Sequence, residues 1–325
     1  MSEKSYHVPV MLFPAIDSLE IKKDGIYVDS TAGGGGHSSE ILKRLGSDGK
    51  LIMIDRDPDA IAVLKERFSS NQNVFIVHDN YKNIKSILKD LNIDKVDGIL
   101  ADLGVSSHQI DSAGRGFSYH LDSDLDMRMS KEGFSAKDAV NGLPYDELKR
   151  ILYDYGEERY APQISRAVVE KRKEKPIETT FELDDIISSA VPAKYKRQGH
   201  PARKTFQALR IYVNGELDDL KDAVYDMFSC LNIGGILSII TFHSLEDRIV
   251  KTAFKDFTTG CTCPPDYPVC VCGRKQRAVY NVKSEGPSKD EIEKNYRCHS
   301  ARLRSVRRID ETIDFSKNKY KNISK

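Results

Sequence analysis

The sequence predicts an α/β fold: an open parallel sheet flanked by helices and interrupted by a helical insertion. Three observations lead there. Over roughly the first hundred residues, short apolar runs alternate with runs of helical period, the signature of parallel strands joined by right-handed crossovers. A polar, non-periodic stretch and a series of helical segments follow, after which α/β character returns. Glycines and carboxylates fall at the ends of the strand-like runs, where open parallel sheets bind ligands.

The elements follow in order. "GIYVDST" reads as a first buried strand and "SSEILKRLG" as a helix with Gly46 as its C-cap. "KLIMIDRD" is a second strand. "DPDAIAVLKERF" is a helix with Asp57 as N-cap and Pro58 in the first helical position. "NVFIVHD" is a third strand, "YKNIKSILKDL" a helix and "VDGILADLG" a fourth strand. The non-periodic "SAGRGFSYHLDSDLDMRMSKEG" opens the insertion. Its helices are "YDELKRILYDYG", "APQISRAVVEKRKEK", "FELDDIISSAV" and the long "TFQALRIYVNGELDDLKDAVYDMFSCL". "GGILSIITF" then reads as a strand and "LEDRIVKTAFKDF" as a helix, so the insertion covers about residues 111–210. The tail "KNKYKNISK" has the composition of a disordered segment.

Composition limits the function classes. The chain has 325 residues, 39% hydrophobic and 30% charged, as in a soluble globular protein. No apolar run approaches the roughly 20 residues that span a bilayer, and "VPVMLFPAI" is too short and proline-broken for a signal peptide. Six cysteines without a secretion signal point to a reducing, cytoplasmic location. A net charge of +1 gives no global field toward nucleic acid, so basic groups must be concentrated locally. Residues 194–210 hold Lys194, Lys196, Arg197, Arg203, Lys204 and Arg210 without an acid, and residues 297–308 hold five arginines without an acid.

The glycine run in "VDSTAGGGGHSSEIL" follows the first strand. A phosphate-binding Walker loop is excluded, because the run ends Gly36-His37-Ser38 where Gly-Lys-Ser/Thr is needed. A dinucleotide fingerprint lacks its third glycine, since Ser38 stands there. An adenosyl-cofactor loop is looser: an acidic strand end, then glycines. Asp55 ends the second strand nineteen positions after Gly36, where a carboxylate can accept both ribose hydroxyls. Asp102 ends the fourth strand, facing the reactive end of such a cofactor. Carboxylates on the second and fourth strand ends beside four glycines are a more specific signal than any one of these residues.

The segments "HVPVM", "YVDSTAGGGGHS", "IDRDPDAI", "LADLGVSSHQID", "RGFSY", "LDMRM", "YGEERYAPQISRAVVE", "HPARKTFQALRIYVNGEL" and "TFHSLEDRIVK" together resemble the bacterial small-subunit (16S) ribosomal RNA cytosine-N4-methyltransferases, over about residues 7–308. The resemblance implies a Rossmann-like class I methyltransferase domain formed by residues 1–110 and 211–310, with a helical insertion domain, 111–210, for substrate recognition and a disordered tail, 311–325. It implies methyl transfer from S-adenosyl-L-methionine to the exocyclic amine of a cytidine in the decoding centre. Carried onto this chain, its cofactor contacts are Gly35, Gly36, His37, Asp55, Tyr81, Asp102 and Gln109. The partner is small-subunit ribosomal RNA or the assembled small subunit, with no membrane; the sequence sets no oligomeric state and leaves a homodimer open. The alternatives are an NAD-dependent oxidoreductase on the same fold and a non-catalytic RNA-binding assembly factor.

Two residues are assigned to chemistry. The N4 lone pair is delocalised into the ring, so the site must accept hydrogen bonds from the amine and aim it at the methyl. Asp102 or a nearby carbonyl supplies that acceptor. Where other amino-methyltransferases often carry Asn/Asp-Pro-Pro-aromatic, this chain has Asp102-Leu103-Gly104-Val105. His243, after the last strand in "TFHSLEDRIV", would bind phosphate or polarise the base; the competing reading packs His243 and makes Ser244 an N-cap, with Asp247 three on. The target base must be unstacked to enter a pocket, and Phe117 and Tyr119 are its stacking candidates, or else packing residues of the loop. Arg203, Lys204 and Arg210 are the expected RNA contacts. Finally, "CTCPPDYPVCVCG" sets Cys261, Cys263, Cys270 and Cys272 as two C-x-C pairs. Four thiolates suit tetrahedral zinc, although a two-residue spacer is commoner, and a reduced surface hairpin is the plainer reading. The resemblance implies no metal, and none is assigned.

Overall fold

A computed structural model describes residues 9–112, 114–264 and 269–309. The chain divides into two compact units. One is made of residues 8–103 and 220 onward; the other is the inserted Gly104–Asp219.

The first unit is built on seven strands: β1 Ile26–Asp29, β2 Lys50–Asp55, β3 Val74–His78, β4 Val96–Asp102, β5 Leu231–Thr241, β6 Ala278–Glu285 and β7 Arg302–Arg308. Their order in the sheet is β3-β2-β1-β4-β5-β7-β6. The pairs from β3 to β5 are parallel, whereas β7 runs antiparallel to both β5 and β6. This is the Rossmann-like sheet expected from the alternation. Its order reverses at β1, so β1 and its neighbour β4 form a topological switch point, the usual ligand position in such sheets.

Local sequence explains the first crossovers. Asp57 Oδ1 accepts from the Asp59 amide at 3.0 Å, and Pro58 opens the helix Pro58–Phe68. Ile61, Leu64 and Phe68 face inward at helical spacing. The preceding helix runs Gly36–Arg44, and its C-cap is Leu45 rather than Gly46; the Gly46 amide instead donates to Lys23 O at 2.7 Å. Tyr27, Ile41, Leu51, Met53, Leu64 and Leu100 belong to one buried core in this unit.

Two expectations change. The long helix expected over residues 205–231 is two helices, Arg203–Asn214 and Leu220–Ser229. Gly215 ends the first with φ +57, a conformation that costs glycine little. The basic run 297–308, a candidate nucleic-acid surface, contains β7. Leu303, Arg304, Ser305 and Val306 are buried there. Arg304 donates to both carboxylate oxygens of Asp247, at 2.7 and 2.9 Å, while Arg308 Nη1 donates to Leu231 O at 2.6 Å. These arginines hold the sheet edge together.

The inserted unit is helical. Its core joins Leu125 and Met127 to Leu148, Ile151 and Leu152, to Ile164 and Val168, to Leu183 and Ile187, and to Phe206 and Leu209. The helix Arg203–Asn214 buries its apolar face in that core, which is why the unit reaches Asp219 rather than ending near residue 210. Three of its helix starts carry reciprocal caps, Ser106 with Gln109, Ser135 with Asp138 and Thr179 with Glu182. No helix among the described residues is long and apolar enough to cross a membrane. The tail 311–325 lies outside the described residues.

Candidate active site

The strand ends of the first unit collect carboxyl groups. Asp29 closes β1, Asp55 closes β2 and Asp102 closes β4. The glycine loop between β1 and the helix Gly36–Arg44 ties them together. Gly33 N donates to Asp55 Oδ2 at 2.7 Å, and Asp57 N donates to Oδ1 at 2.8 Å. Ser38 Oγ donates to Asp29 Oδ2 at 2.6 Å. The Asp102 amide donates to Thr31 Oγ1 at 2.6 Å.

The four glycines do different work. A Cβ on Gly35 would lie 2.6 Å from Phe68 Cε2, and one on Gly36 would lie 2.2 Å from Pro9 Cγ. Both approach the protein's own side chains, so their glycine identity is explained by packing. Gly33 differs. Its φ is +51, yet the nearest neighbour of an added Cβ would be 4.0 Å away. Open space on that side, next to Asp55, leaves room for a ligand to approach the backbone. Gly33, which the expected cofactor contacts do not include, shares its positive φ with Gly35; the open space beside it is what separates the two.

Burial sets the electrostatics. Asp29 is 1% exposed, and desolvation, partly relieved by Ser38, pushes its carboxyl up to about 6. Asp55 is raised chiefly by burial, against hydrogen bonds from the Asp57 and Gly33 amides. Asp102 is raised well above the usual carboxylate range, first by burial and then by the negative charges of Asp29 and Glu246. Its Oδ1 is buried without a hydrogen-bond partner among the described residues. The side chain as a whole keeps 23% of its surface exposed, so a ligand can reach it.

His37 is buried, and its Nε2 donates to Val10 O at 3.1 Å. Desolvation lowers it to about 4, so the ring is neutral and its unprotonated Nδ1 lies 3.9 Å from Asp102 Oδ2. His243 is the N-cap residue of the helix Ser244–Thr258, one position before the expected Ser244. Its Nε2 lies 3.1 Å from Glu246 Oε1. Glu246, 2% exposed, accepts the Phe242 amide at 2.8 Å. Glu246 and Asp29 are the acidic members the sequence reading did not assign, although the strand-end rule that selected Asp55 and Asp102 applies equally to Asp29. Tyr81 opens a 3₁₀ turn just after β3.

The remaining sequence-predicted residues lie in the inserted unit. Gln109 is 5% exposed, and its Oε1 accepts the Ser106 amide at 3.0 Å, a helix-capping role. Phe117 and Tyr119 pack against the helical core; Tyr119 stacks on His200 with centroids 4.3 Å apart, so the packing reading holds for both. Arg203 is exposed, and Lys204 Nζ donates to Glu157 O at 2.7 Å. Arg210 makes a two-pronged ion pair with Glu216, both bonds at 2.9 Å, with its side chain only 16% exposed. Within the fold its guanidinium is engaged by an acid that stands six residues beyond the acid-free run.

S-adenosylmethionine fits the strand-end donor set. Asp55 retains lone pairs for vicinal hydroxyls, Gly33 leaves the backbone approachable, and a sulfonium cation beside Asp29 and Asp102 would favour the ionised carboxylates that burial disfavours.

Ribosomal RNA small subunit methyltransferase H of Clostridium botulinum (strain Loch Maree / Type A3) is 57% identical over 305 residues, spanning 93% of this chain and 99% of that protein. The protein of the same name from Lachnospira eligens is 52% identical over 307 residues, spanning 93% of this chain and 98% of that protein. The profile of the MraW methylase family matches residues 4–309. On that match and these relatives, the chain belongs to the MraW methylase family.

Proposed function

We propose that the chain transfers a methyl group from S-adenosylmethionine to the exocyclic N4 amine of a cytidine in the decoding centre of small-subunit (16S) ribosomal RNA. Family membership sets aside the oxidoreductase alternative. The name carried by the relatives supports small-subunit ribosomal RNA as the substrate, and with it a cytoplasmic setting.

One observation carries the chemical reading: the buried, unpartnered Oδ1 of Asp102 on the β4 tip. A buried acceptor left without a donor is costly unless an arriving group supplies one. An exocyclic amine has two N–H donors. Accepting one of them concentrates the nitrogen lone pair and orients it for in-line attack. When bound, the cofactor supplies an electrophilic methyl on a sulfonium. Asp55 receives its ribose hydroxyls, and Asp29 and Asp102 offset its positive charge. His243, set beside Glu246, is the second assigned catalytic residue, polarising the base or holding its phosphate. In the inserted unit, the exposed Lys194, Lys196, Arg197 and Arg203, with Lys204, are assigned to phosphates of the RNA.

The test is incubation of the purified chain with labelled cofactor and either unmethylated small subunits or naked 16S RNA. The modified nucleotide is then mapped by mass spectrometry. Label on N4 of a decoding-centre cytidine is expected. Label on another atom or nucleotide would replace the finer assignment, and the two substrates reveal which form is used.

A further inference from the structure

Between the helix Ser244–Thr258 and β6, the chain makes an excursion that no apolar core supports. None of the described residues between Phe257 and Ala278 is buried, and Val269 and Val271 are 70% and 73% exposed. Yet four cysteine sulfurs from the two ends of this excursion converge. Cys261, Cys263, Cys270 and Cys272 place their Sγ atoms within 4.8 Å of one another. Four of the separations are 3.4 Å (Cys261–Cys270), 3.5 Å (Cys270–Cys272), 3.7 Å (Cys261–Cys272) and 4.0 Å (Cys263–Cys270).

These distances discriminate between chemistries. A disulfide holds its sulfurs about 2.0 Å apart. A tetrahedron of thiolates around zinc, with Zn–S of about 2.3 Å, has sulfur–sulfur edges of about 3.8 Å. The observed separations straddle that edge length. Backbone amides also face the sulfurs: Val271 N donates to Cys263 Sγ at 3.4 Å, and the Cys263 amide reaches Cys261. Amide donors of this kind support metal-bound thiolates. Arg274 and Lys275 follow immediately and partly offset the negative charge of a four-thiolate site.

We propose that Cys261, Cys263, Cys270 and Cys272 bind one structural zinc ion. Four thiols give up four protons and form four Zn–S bonds; no oxidant or reductant takes part. All four positions are filled by protein, so the ion has no open coordination site and serves as the missing core of the excursion. The one-residue spacer within each pair, unusual for zinc, still brings the sulfurs of Cys270 and Cys272 to 3.5 Å, close to a tetrahedral edge.

The test uses the full chain, purified under reducing conditions, reloaded with Zn²⁺ and dialysed. One zinc per chain by elemental analysis is expected, with four thiols shielded from Ellman's reagent until a chelator is added. Replacing Zn²⁺ by Co²⁺ should give the intense visible bands of a tetrahedral thiolate site. The double variant Cys270→Ser/Cys272→Ser should lose the metal while keeping S-adenosylmethionine affinity. Wild-type chain that takes up no zinc, or whose four thiols react at once, would overturn the proposal. So would two disulfides, or bound iron with the absorption of a cluster. If the variant fails to fold, the wild-type zinc content and cobalt spectrum still decide.

Discussion

The two units arrange their buried acids differently. In the inserted unit, buried acids have partners: Glu216 is clamped by Arg210, and Glu158 accepts the Tyr195 hydroxyl at 2.6 Å and the Tyr160 amide at 2.8 Å. Its surface charges pair at helical spacing, as in Lys149–Asp146, Lys171–Glu174 and Arg150–Asp154, where solvent leaves them little effect on stability. In the α/β unit, the negative charges of Asp29 and Glu246 act on Asp102, one oxygen of which has no hydrogen-bond partner among the described residues. The difference is informative before any ligand is named. A fold leaves buried polar atoms unsatisfied mainly where another molecule completes them. The helical unit also has such atoms, Ser165 Oγ, Asp184 Oδ1 and Thr205 Oγ1 among the described residues; the strand ends differ in that the orphaned oxygen of Asp102 lies in the field of two other acids, Asp29 and Glu246.

The strongest way to break this contrast is at Asp102. Asp102→Ala should lower turnover at saturating cofactor by about 100-fold or more, with a smaller change in cofactor affinity. Because burial, Asp29 and Glu246 raise its carboxyl, wild-type turnover should climb with pH as the group ionises, and the variant should lose that limb. A variant with intact turnover and weakened binding would reduce Asp102 to a cofactor contact. Next in size is Asp55→Ala, which should weaken S-adenosylmethionine binding by about 1–3 kcal/mol, read by calorimetry. Unchanged affinity would remove Asp55 from the site.

His37 sharpens the contrast through pH. Its folded-state value of about 4 lies below the ordinary 6.5. Between those values the unfolded chain takes up a proton and the folded chain does not, so its contribution is complete above 6.5 and lost as pH falls toward 4. Asp29, raised to about 6, works the other way between 4 and 6. The stability gap between wild type and His37→Gln should therefore narrow on acidification, by about 1–2 kcal/mol, in melts at pH 7 and pH 4.5. A constant gap would mean that the ring is not held neutral. The smallest effect belongs to the helical unit. Arg203→Ala with Lys204→Ala should weaken RNA binding about tenfold at moderate salt and flatten its salt dependence, leaving cofactor affinity unchanged. An unaltered salt slope would take RNA contact away from this run.

Legibility in the sequence followed the range of the interactions. Strands β1 to β4, the Asp57–Pro58 helix start and the carboxylates on β2 and β4 rest on local pattern, and all could be read directly. What escaped depends on residues far apart. Gly36 is glycine because of Pro9, and Gly35 because of Phe68. Strand β7 hides behind its arginines, whose partners lie in other segments: Asp247 for Arg304, and the Ser229 and Leu231 carbonyls for Arg308. Glu216, the partner of Arg210, stands just past the acid-free run 194–210. Charge in a sequence window shows what a segment carries; the fold decides what remains available.

The placement of the insertion bears on how the chain finds its native state. Ile99 and Leu237 are register partners in adjacent parallel strands, although the whole Gly104–Asp219 unit separates them in the chain. Strand pairing across so wide a gap demands closure of a long loop before any contact rewards it, which slows folding. An insertion with its own buried core, assembled from neighbouring helices, can collapse first and shorten the loop that remains to be closed. Refolding should then proceed in two phases, a rapid one in helical signal and a slower one in which β4 and β5 meet. Because Asp102 closes β4, cofactor binding competence should appear only with the second phase.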